Sequence, residues 1–388
     1  MKIVFPSILE LPSRLATSQY TMWMCQALAR HVHVILYVQK LYEPLNEVYR
    51  YYGVHPSFQI RETGFLWKPR SFWAAPIITH FCVADRPSYV YLFEARLLRY
   101  LKLFAPKLNY IYDAEAMPST LVPYVRHINS AKAVICHNQL FEKDLISMGI
   151  RPDKIVIGQM GVNLEHFSQL SKEASRRQLN LSLTKKIVMY TGHFYEWKGV
   201  EVLIQAASQL DADTEVYLIG GKEADIQRII QSHGGLSGKN IKMIPFQPPA
   251  LVPTYQQAAD VLVVPNVSAS EDSSYYTSPL KLFQYMAAGR PIVASDLPSL
   301  RTVLNRENAY LVSPDDPHAL AQGIQAALSD PLEAARKTQR AQDEVKQYTW
   351  QKRAERILKF VSEDIATSMN GEASRKPTDN SQPQTHSN

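Results

Sequence analysis

Short apolar runs rich in Val, Ile, Leu and Tyr alternate with stretches of helical period along most of the chain. In the front half, Ile3–Phe5, Val32–Val38, Tyr110–Tyr112, Ala133–Cys136 and Ile155–Ile157 read as buried strands, and Thr17–Arg30, Ala95–Phe104, Pro118–Asn129 and Gln139–Met148 as the helices between them. The rhythm repeats with strands Ile187–Tyr190, Glu215–Ile219, Ile241–Ile244, Val261–Val264 and Ile292–Ala294, separated by helices near 199–210, 223–232, 250–259 and 280–288. Strands joined by helices make parallel sheets covered on both faces, so the pattern predicts an α/β chain of two doubly wound domains. The polar stretch Ser168–Lys186 has no apolar period and predicts the linker, giving an N-terminal domain at 1–168 and a C-terminal domain at 169–349. Trp350, Ala354, Ile357, Leu358 and Val361 follow a helical period, and a helix at about 350–364 is expected to pack back on the N-terminal domain. Residues 366–388 lack any apolar run and predict a disordered tail. Such sheets take ligands at the carboxyl ends of their strands, which places the site in the cleft between the domains.

Composition narrows the class. The 388 residues suffice for two to three domains, and 46% hydrophobic with 20% charged residues is the balance of an ordinary globular chain. Cys25, Cys82 and Cys136 lie too far apart for a disulfide framework or a clustered zinc site and fit a reducing, cytoplasmic setting. The apolar run after Lys2 stops at Pro6, too short for a signal-peptide core, and no run reaches a membrane-spanning length. The net charge of +6 lies wholly in residues 1–168, which carry 18 basic and 12 acidic side chains against 24 of each in 169–388. Such a local surplus favours an anionic partner. No zinc-finger spacing, RNA-binding aromatic signature or continuous basic helix supports nucleic acid, and neither first strand is followed by G-x-G-x-x-G.

The sharpest segment is Tyr275–Leu297, a polar loop running into a helix and then a Gly-Arg-Pro turn. Ser278 suits an N-cap and Pro279 the first helical position, so the free N–H groups up to Leu280 form an anion site to which Lys281 adds a full charge. An ordinary capped helix burying Leu282, Phe283 and Met286 is the plainer alternative.

Together with Tyr190–Ile204, Val216–Gly221, the run from Ile244 to Asn266 and Gly161–Phe167, this segment resembles the retaining glycosyltransferases of family 4. The resemblance is strong over about 155–300, weaker over 85–155 and thin before that. It implies the GT-B fold, two Rossmann-like domains facing each other across a cleft, and transfer of a sugar from a nucleotide-sugar donor to a glycan or lipid-linked acceptor with retention. It implies no metal and no cofactor beyond the donor. Donor-binding roles fall on Gly192, His193, Phe246, Tyr276, Ser278, Pro279, Leu280 and Gln284, and catalytic roles on Lys198, Lys281 and Glu115.

Several positions depart from the family pattern. The diphosphate-gripping Arg and Lys match His193 and Lys198, so only the lysine is retained, and a neutral His supplies little charge. Lys281 is expected to make up the difference. The two family glutamates are replaced by Tyr276 and Gln284. The carbonyl oxygen of Gln284 can still accept from a ribose hydroxyl, without charge assistance; Glu271 and Asp272 either swing in for the earlier acid or form an exposed acidic loop. Glu115 takes the position of a family histidine, either contacting ligand or capping the helix near Pro118. The family's glycine-rich loop is absent from Pro6–Tyr20, leaving Ser13, Arg14 and Ser18 to contact ligand through side chains. Asp211 and Asp213 read as solvated acids rather than metal ligands.

Phe65–Trp73 and Arg96–Lys107 mix aromatics, leucines and cations in the manner of a membrane interface, which the family's lipid-linked acceptors would suit. A core helix with an ionic edge explains the second equally well. Two readings remain: a retaining glycosyltransferase at the inner membrane face, acting in polysaccharide or glycolipid synthesis, or a GT-B-shaped scaffold of a glycan-synthesis complex with weakened donor chemistry.

Overall fold

A computed structural model describes residues 1–64, 75–115, 118–167, 170–235, 240–269, 271–276 and 280–373. The strands in chain order are β1 (Lys2–Pro6), β2 (Glu10–Leu11), β3 (His33–Val38), β4 (Lys40–Leu41), β5 (Gln59–Glu62), β6 (Tyr89–Leu92), β7 (Tyr110–Asp113), β8 (Ala133–Cys136) and β9 (Ile155–Ile157) in the front half. β10 (Lys186–Gly192), β11 (Thr214–Gly220), β12 (Ile241–Ile244), β13 (Val261–Val264), β14 (Ile292–Ser295) and β15 (Tyr310–Val312) follow. The first sheet runs β5-β3-β1-β6-β7-β8-β9 and the second β12-β11-β10-β13-β14-β15, with parallel pairing throughout; β2 and β4 form a small separate ribbon.

Each sheet reverses its strand order beside its first strand: β1 lies between β3 and β6, and β10 between β11 and β13. Loops leaving two such strands diverge to opposite faces and open a crevice at their carboxyl ends. The central strands, such as β6, β7, β8 and β13, are buried on both faces, which is why most of them read as continuous apolar runs rather than alternating ones, while the edge strands β5 and β12 are partly exposed. The buried Tyr89 hydroxyl donates to the Val361 carbonyl at 3.0 Å, tying the first sheet to the last helix.

The stretch Ser168–Lys186 departs from the linker expected there. It contains a helix, Lys172–Gln178, whose N-cap Ser171 accepts from the Ala174 N–H. Arg176 carries this helix into the C-terminal domain: it is buried and donates to the Ala258 carbonyl at 2.8 Å and to Asp260 at 2.5 Å. An arginine stem does the packing that apolar periodicity would have announced.

The last helix spans Trp350–Ala373 and so continues past residue 366, where the sequence predicts a disordered tail. It lies against the helix Ala16–Ala29 of the first domain, with Trp350 fully buried between Tyr20 and Trp23. A Cβ at Gly161 would stand 2.4 Å from the Trp350 backbone nitrogen, so only glycine lets the returning chain pass. Among the described residues no helix is long and apolar enough to cross a membrane. Phe65–Trp73 lies outside the described residues. The helix Ala95–Phe104 buries Leu97, Leu98 and Leu101 while Leu103 and Phe104 stand exposed beside Lys102.

Candidate functional site

The loops that follow β1 and β10 meet across a cavity of about 330 Å³. Ser13, Arg14 and Thr17 line it from the first domain with Glu115 and Phe93; Gly192, His193, Lys198, Phe246, Leu280, Lys281 and Gln284 line it from the second. Most expected site residues therefore share one space. Ser18 does not line it: its hydroxyl is buried and spent on the Leu15 and Ser13 carbonyls at 2.6 and 3.2 Å, so it shapes the loop from behind. Ser278 and Pro279 lie outside the described residues, as do the side chains of Tyr276 and Asp272. Glu271 is exposed, and Asp213 pairs with Lys185 at 2.9 Å on the surface, at the opposite end of β11 from the cavity.

Lys281 is the most unusual group in the wall. Its side chain is buried and its ammonium has no hydrogen-bond partner among the described residues, resting 3.7 Å from the centroid of the Tyr190 ring. Burial drives its pKa well below the usual lysine range, and neighbouring Lys198 pushes it further down. A cation–π contact stabilises such a charge only in part. Gly192 is what lets the ammonium in: a Cβ there, at φ +141°, would stand 3.2 Å from Nζ. Lys198 lies at 3.6 Å over Trp197 and ends the turn Glu196–Lys198, immediately before Gly199.

His193 is held neutral. Burial lowers its pKa, a bond to the Arg14 backbone carbonyl opposes the fall, and Lys198 and Lys281 add to it. Its ring stacks on Tyr195 at 5.2 Å, Tyr195 faces Trp197 at 6.4 Å, and the Arg14 guanidinium reaches across the cleft to Phe246 at 5.6 Å. The alternation of His193, Tyr195 and Trp197 in the sequence is the signal for this aromatic column, which only the structure shows to be continuous.

Gln284 sits in a buried amide network. Its carbonyl oxygen, expected to take a ribose hydroxyl, already accepts from Gln256 Nε2 at 3.3 Å, leaving one lone pair for a ligand. Gln256 also donates to Thr191 Oγ1 at 2.9 Å, and Tyr285 accepts from the Thr191 N–H at 2.8 Å. No sequence pattern marks Gln256.

Behind the first-domain wall, Asp113 accepts from Arg353 at 2.9 and 2.8 Å, from Tyr91 at 2.5 Å and from Tyr20. Glu115, two residues beyond Asp113, lines the cavity wall. Its surroundings raise its pKa, chiefly through desolvation and then through the Asp113 charge, with Arg353 opposing.

Residues 185–330 match the family model described as Glycosyl transferases group 1. A sucrose-phosphate synthase from Thermosynechococcus elongatus superposes over 94% of this chain and 99% of its own, with a TM-score of 0.75 and 21% identity. The fold is GT-B. Anabaena HepE, solved in complex with UDP and glucose, shares it at TM-score 0.71 and 16% identity over 95% of this chain and 99% of its own. In sequence, a D-inositol 3-phosphate glycosyltransferase of Corynebacterium diphtheriae is 27% identical over 259 residues. That match covers 63% of this chain, which spans 59% of the relative's length. The cavity thus lies where the two halves of a GT-B molecule face each other.

Proposed function

We propose that this chain is a glycosyltransferase that takes a nucleotide-sugar donor in the cavity and passes the sugar, with retention, to a glycan or lipid-linked acceptor. The observation that carries the reading is the buried, unpartnered ammonium of Lys281 beside Lys198. A buried cation without a counter-charge is costly, and a diphosphate would supply that charge. HepE, a protein of the same fold, is described with UDP and glucose bound.

In this reading the two lysines stabilise charge developing on the leaving diphosphate, which takes the acceptor's proton as the glycosidic bond breaks. Gln284 holds the ribose, and Glu115 faces the donor sugar from the opposite wall. Lys198 and Lys281 carry the electrostatic role, and no metal ligand is assigned. The acceptor enters from the first domain, whose basic surplus and exposed Leu103 and Phe104 suit the cytoplasmic face of a membrane. The scaffold alternative is favoured by one feature, the Gln284 oxygen already engaged by Gln256.

A thermal-shift panel with UDP, GDP, ADP and their sugar conjugates tests the proposal. A nucleotide at a hundred times its dissociation constant stabilises by about 2.7 kcal/mol. One nucleotide class is expected to raise the melting temperature, with the shift erased in Lys198→Ala. No shift from any of them at millimolar concentration would leave the scaffold reading in its place.

A further inference from the structure

Among the described residues that line the cavity, three are cations, Arg14 from the first domain and Lys198 and Lys281 from the second, and one is an acid, Glu115. Arg14 is exposed and forms no ion pair among the described residues. Its guanidinium crosses the cleft to lie 5.6 Å from the centroid of the Phe246 ring, and the His193 ring lies 6.3 Å from the same centroid. Arg14 and His193 thus flank one phenyl group, the histidine held neutral and the arginine always charged. A cation–π contact at an exposed site stabilises a guanidinium only weakly, and it leaves the N–H edge open to a better acceptor.

The backbone that carries Arg14 has no glycine, and side chains hold it in place. Tyr52, fully buried at the end of the helix Leu45–Tyr52, accepts from the Ser13 N–H at 2.7 Å and donates to the Ser13 carbonyl at 3.3 Å. Ser18 donates to that carbonyl at 3.2 Å and to the Leu15 carbonyl at 2.6 Å. Both backbone groups of the residue before Arg14 are therefore fixed, and the helix Ala16–Ala29 begins two residues after it. The end of the helix Leu45–Tyr52 also meets the second domain. The Tyr51 carbonyl accepts from the Ala250 N–H at 3.2 Å, and the Gly53 carbonyl bonds to His166 Nε2 at 2.8 Å. At Gly53, where φ is +63°, a Cβ would stand 3.3 Å from the Ala250 Cβ. The backbone from Tyr51 to Gly53 thus sets the Arg14 loop relative to the domain that holds both lysines.

We propose that Arg14 supplies from the first domain the guanidinium that position 193 lacks, closing on a diphosphate held by Lys198 and Lys281, and that Tyr52 is the positioning residue that aims it. A guanidinium presents a planar fork to two phosphate oxygens, whereas an ammonium is a point charge. The diphosphate of an intact sugar nucleotide carries about two negative charges, and the nucleoside diphosphate left behind carries about three. A third cation therefore favours the leaving group as charge develops on it over the bound donor, which is the difference that accelerates transfer. The inference rests on the sugar-nucleotide reading of the cavity for its ligand.

Calorimetric titration of the chain with UDP, GDP and ADP at several salt concentrations tests it. Arg14→Ala, at an exposed position, should leave urea unfolding unchanged while weakening the diphosphate that binds by roughly tenfold or more and making its salt dependence shallower. Arg14→Lys should keep the salt dependence and recover only part of the affinity. Tyr52→Phe should weaken binding by roughly three- to tenfold in the wild type and not at all when residue 14 is already alanine, because Tyr52 acts through Arg14. Should Tyr52→Phe not fold, Ser18→Ala removes the other side-chain donor to the Ser13 carbonyl and is held to the same criterion. Unchanged affinity in Arg14→Ala, or a loss of equal size from Tyr52→Phe in both backgrounds, overturns the inference while the donor reading stands. A wild type that binds none of the three diphosphates overturns the donor reading and this inference with it.

Discussion

Gln256 donates to the Gln284 carbonyl oxygen at 3.3 Å from a position with no solvent exposure, and its own carbonyl oxygen has no partner among the described residues. The pair fixes how the Gln284 amide faces the cavity. Gln256→Leu should weaken binding of the nucleotide that shifts the melt by roughly three- to tenfold, the worth of one hydrogen bond of about 0.5–1.5 kcal/mol. Folding stability should change little, because the substitution also removes an unmet buried oxygen. Calorimetric titration alongside urea unfolding checks both halves; unchanged affinity would detach Gln256 from the site.

Gln284→Glu should tighten the same binding by roughly tenfold. Gln256 Nε2 already points at an oxygen of this side chain, and a carboxylate makes hydrogen bonds about twice as strong. Weaker binding would mean that the amide N–H₂, rather than the oxygen, meets the ligand.

Binding of a diphosphate should be accompanied by proton uptake through Lys281. In the free protein, burial and then Lys198 hold this amine below the usual lysine range. An anion beside it raises the value, so a proton is taken up at pH values between the free and bound pKa. Calorimetry in buffers of different ionisation enthalpy reads that proton, and Lys281→Met should abolish it. The sign for folding follows from the same depression: the unfolded chain binds more protons in the window between the folded pKa and about 10.4, so stability of the free protein rises with pH there. Lys281→Met should flatten that rise and melt at a higher temperature than the wild type at neutral pH.

The strand framework was legible because parallel strands covered on both faces must be apolar throughout, as in Ala133–Cys136 and Val261–Val264. β6 is not legible in the sequence although it lies beside β1 in the middle of its sheet: it is four residues long, and two of them are tyrosines whose hydroxyls find partners only in the folded chain. Helices from Pro317–Ser329 and Pro331–Val345 were likewise passed over despite Asp316 and Asp330 at their N-caps. Lys198, Lys281 and Glu115 could be picked out because each sits in a short segment with its own motif. Arg353 and Gln256 could not, since their roles depend on contacts 240 and 28 residues away.

Arg176 and Asp260 should anchor the helix Lys172–Gln178. Burial alone would raise the Asp260 carboxyl, but bonds from Lys172 and the Ile187 N–H, with Arg176, hold it below the usual carboxylate range. Arg176→Met leaves that carboxylate without its buried partner and should cost about 3 kcal/mol in urea unfolding. A depressed carboxyl stabilises above its unfolded pKa, near 3.9, and that contribution is lost as pH falls through the folded value. Asp260→Asn should therefore flatten the acid side of the stability profile.

Gly199 and Gly234 make a matched pair, since both have left-handed φ, +68° and +62°. At Gly234 no described residue lies within 4 Å of an added Cβ, so Gly234→Ala should cost only the conformational penalty of about 1 kcal/mol. At Gly199 the same atom would stand 1.7 Å from the Pro265 carbonyl oxygen, with no flexible side chain to yield. Gly199→Ala must therefore displace either the end of β13 or the turn Glu196–Lys198, and Lys198 moves with the turn. Unfolding should show a loss at least 2 kcal/mol larger than for Gly234→Ala, within the range of severe single substitutions. The nucleotide-induced melting shift should disappear in Gly199→Ala and persist in Gly234→Ala. A retained shift in the first would mean that Lys198 reaches its ligand without the turn that Gly199 closes.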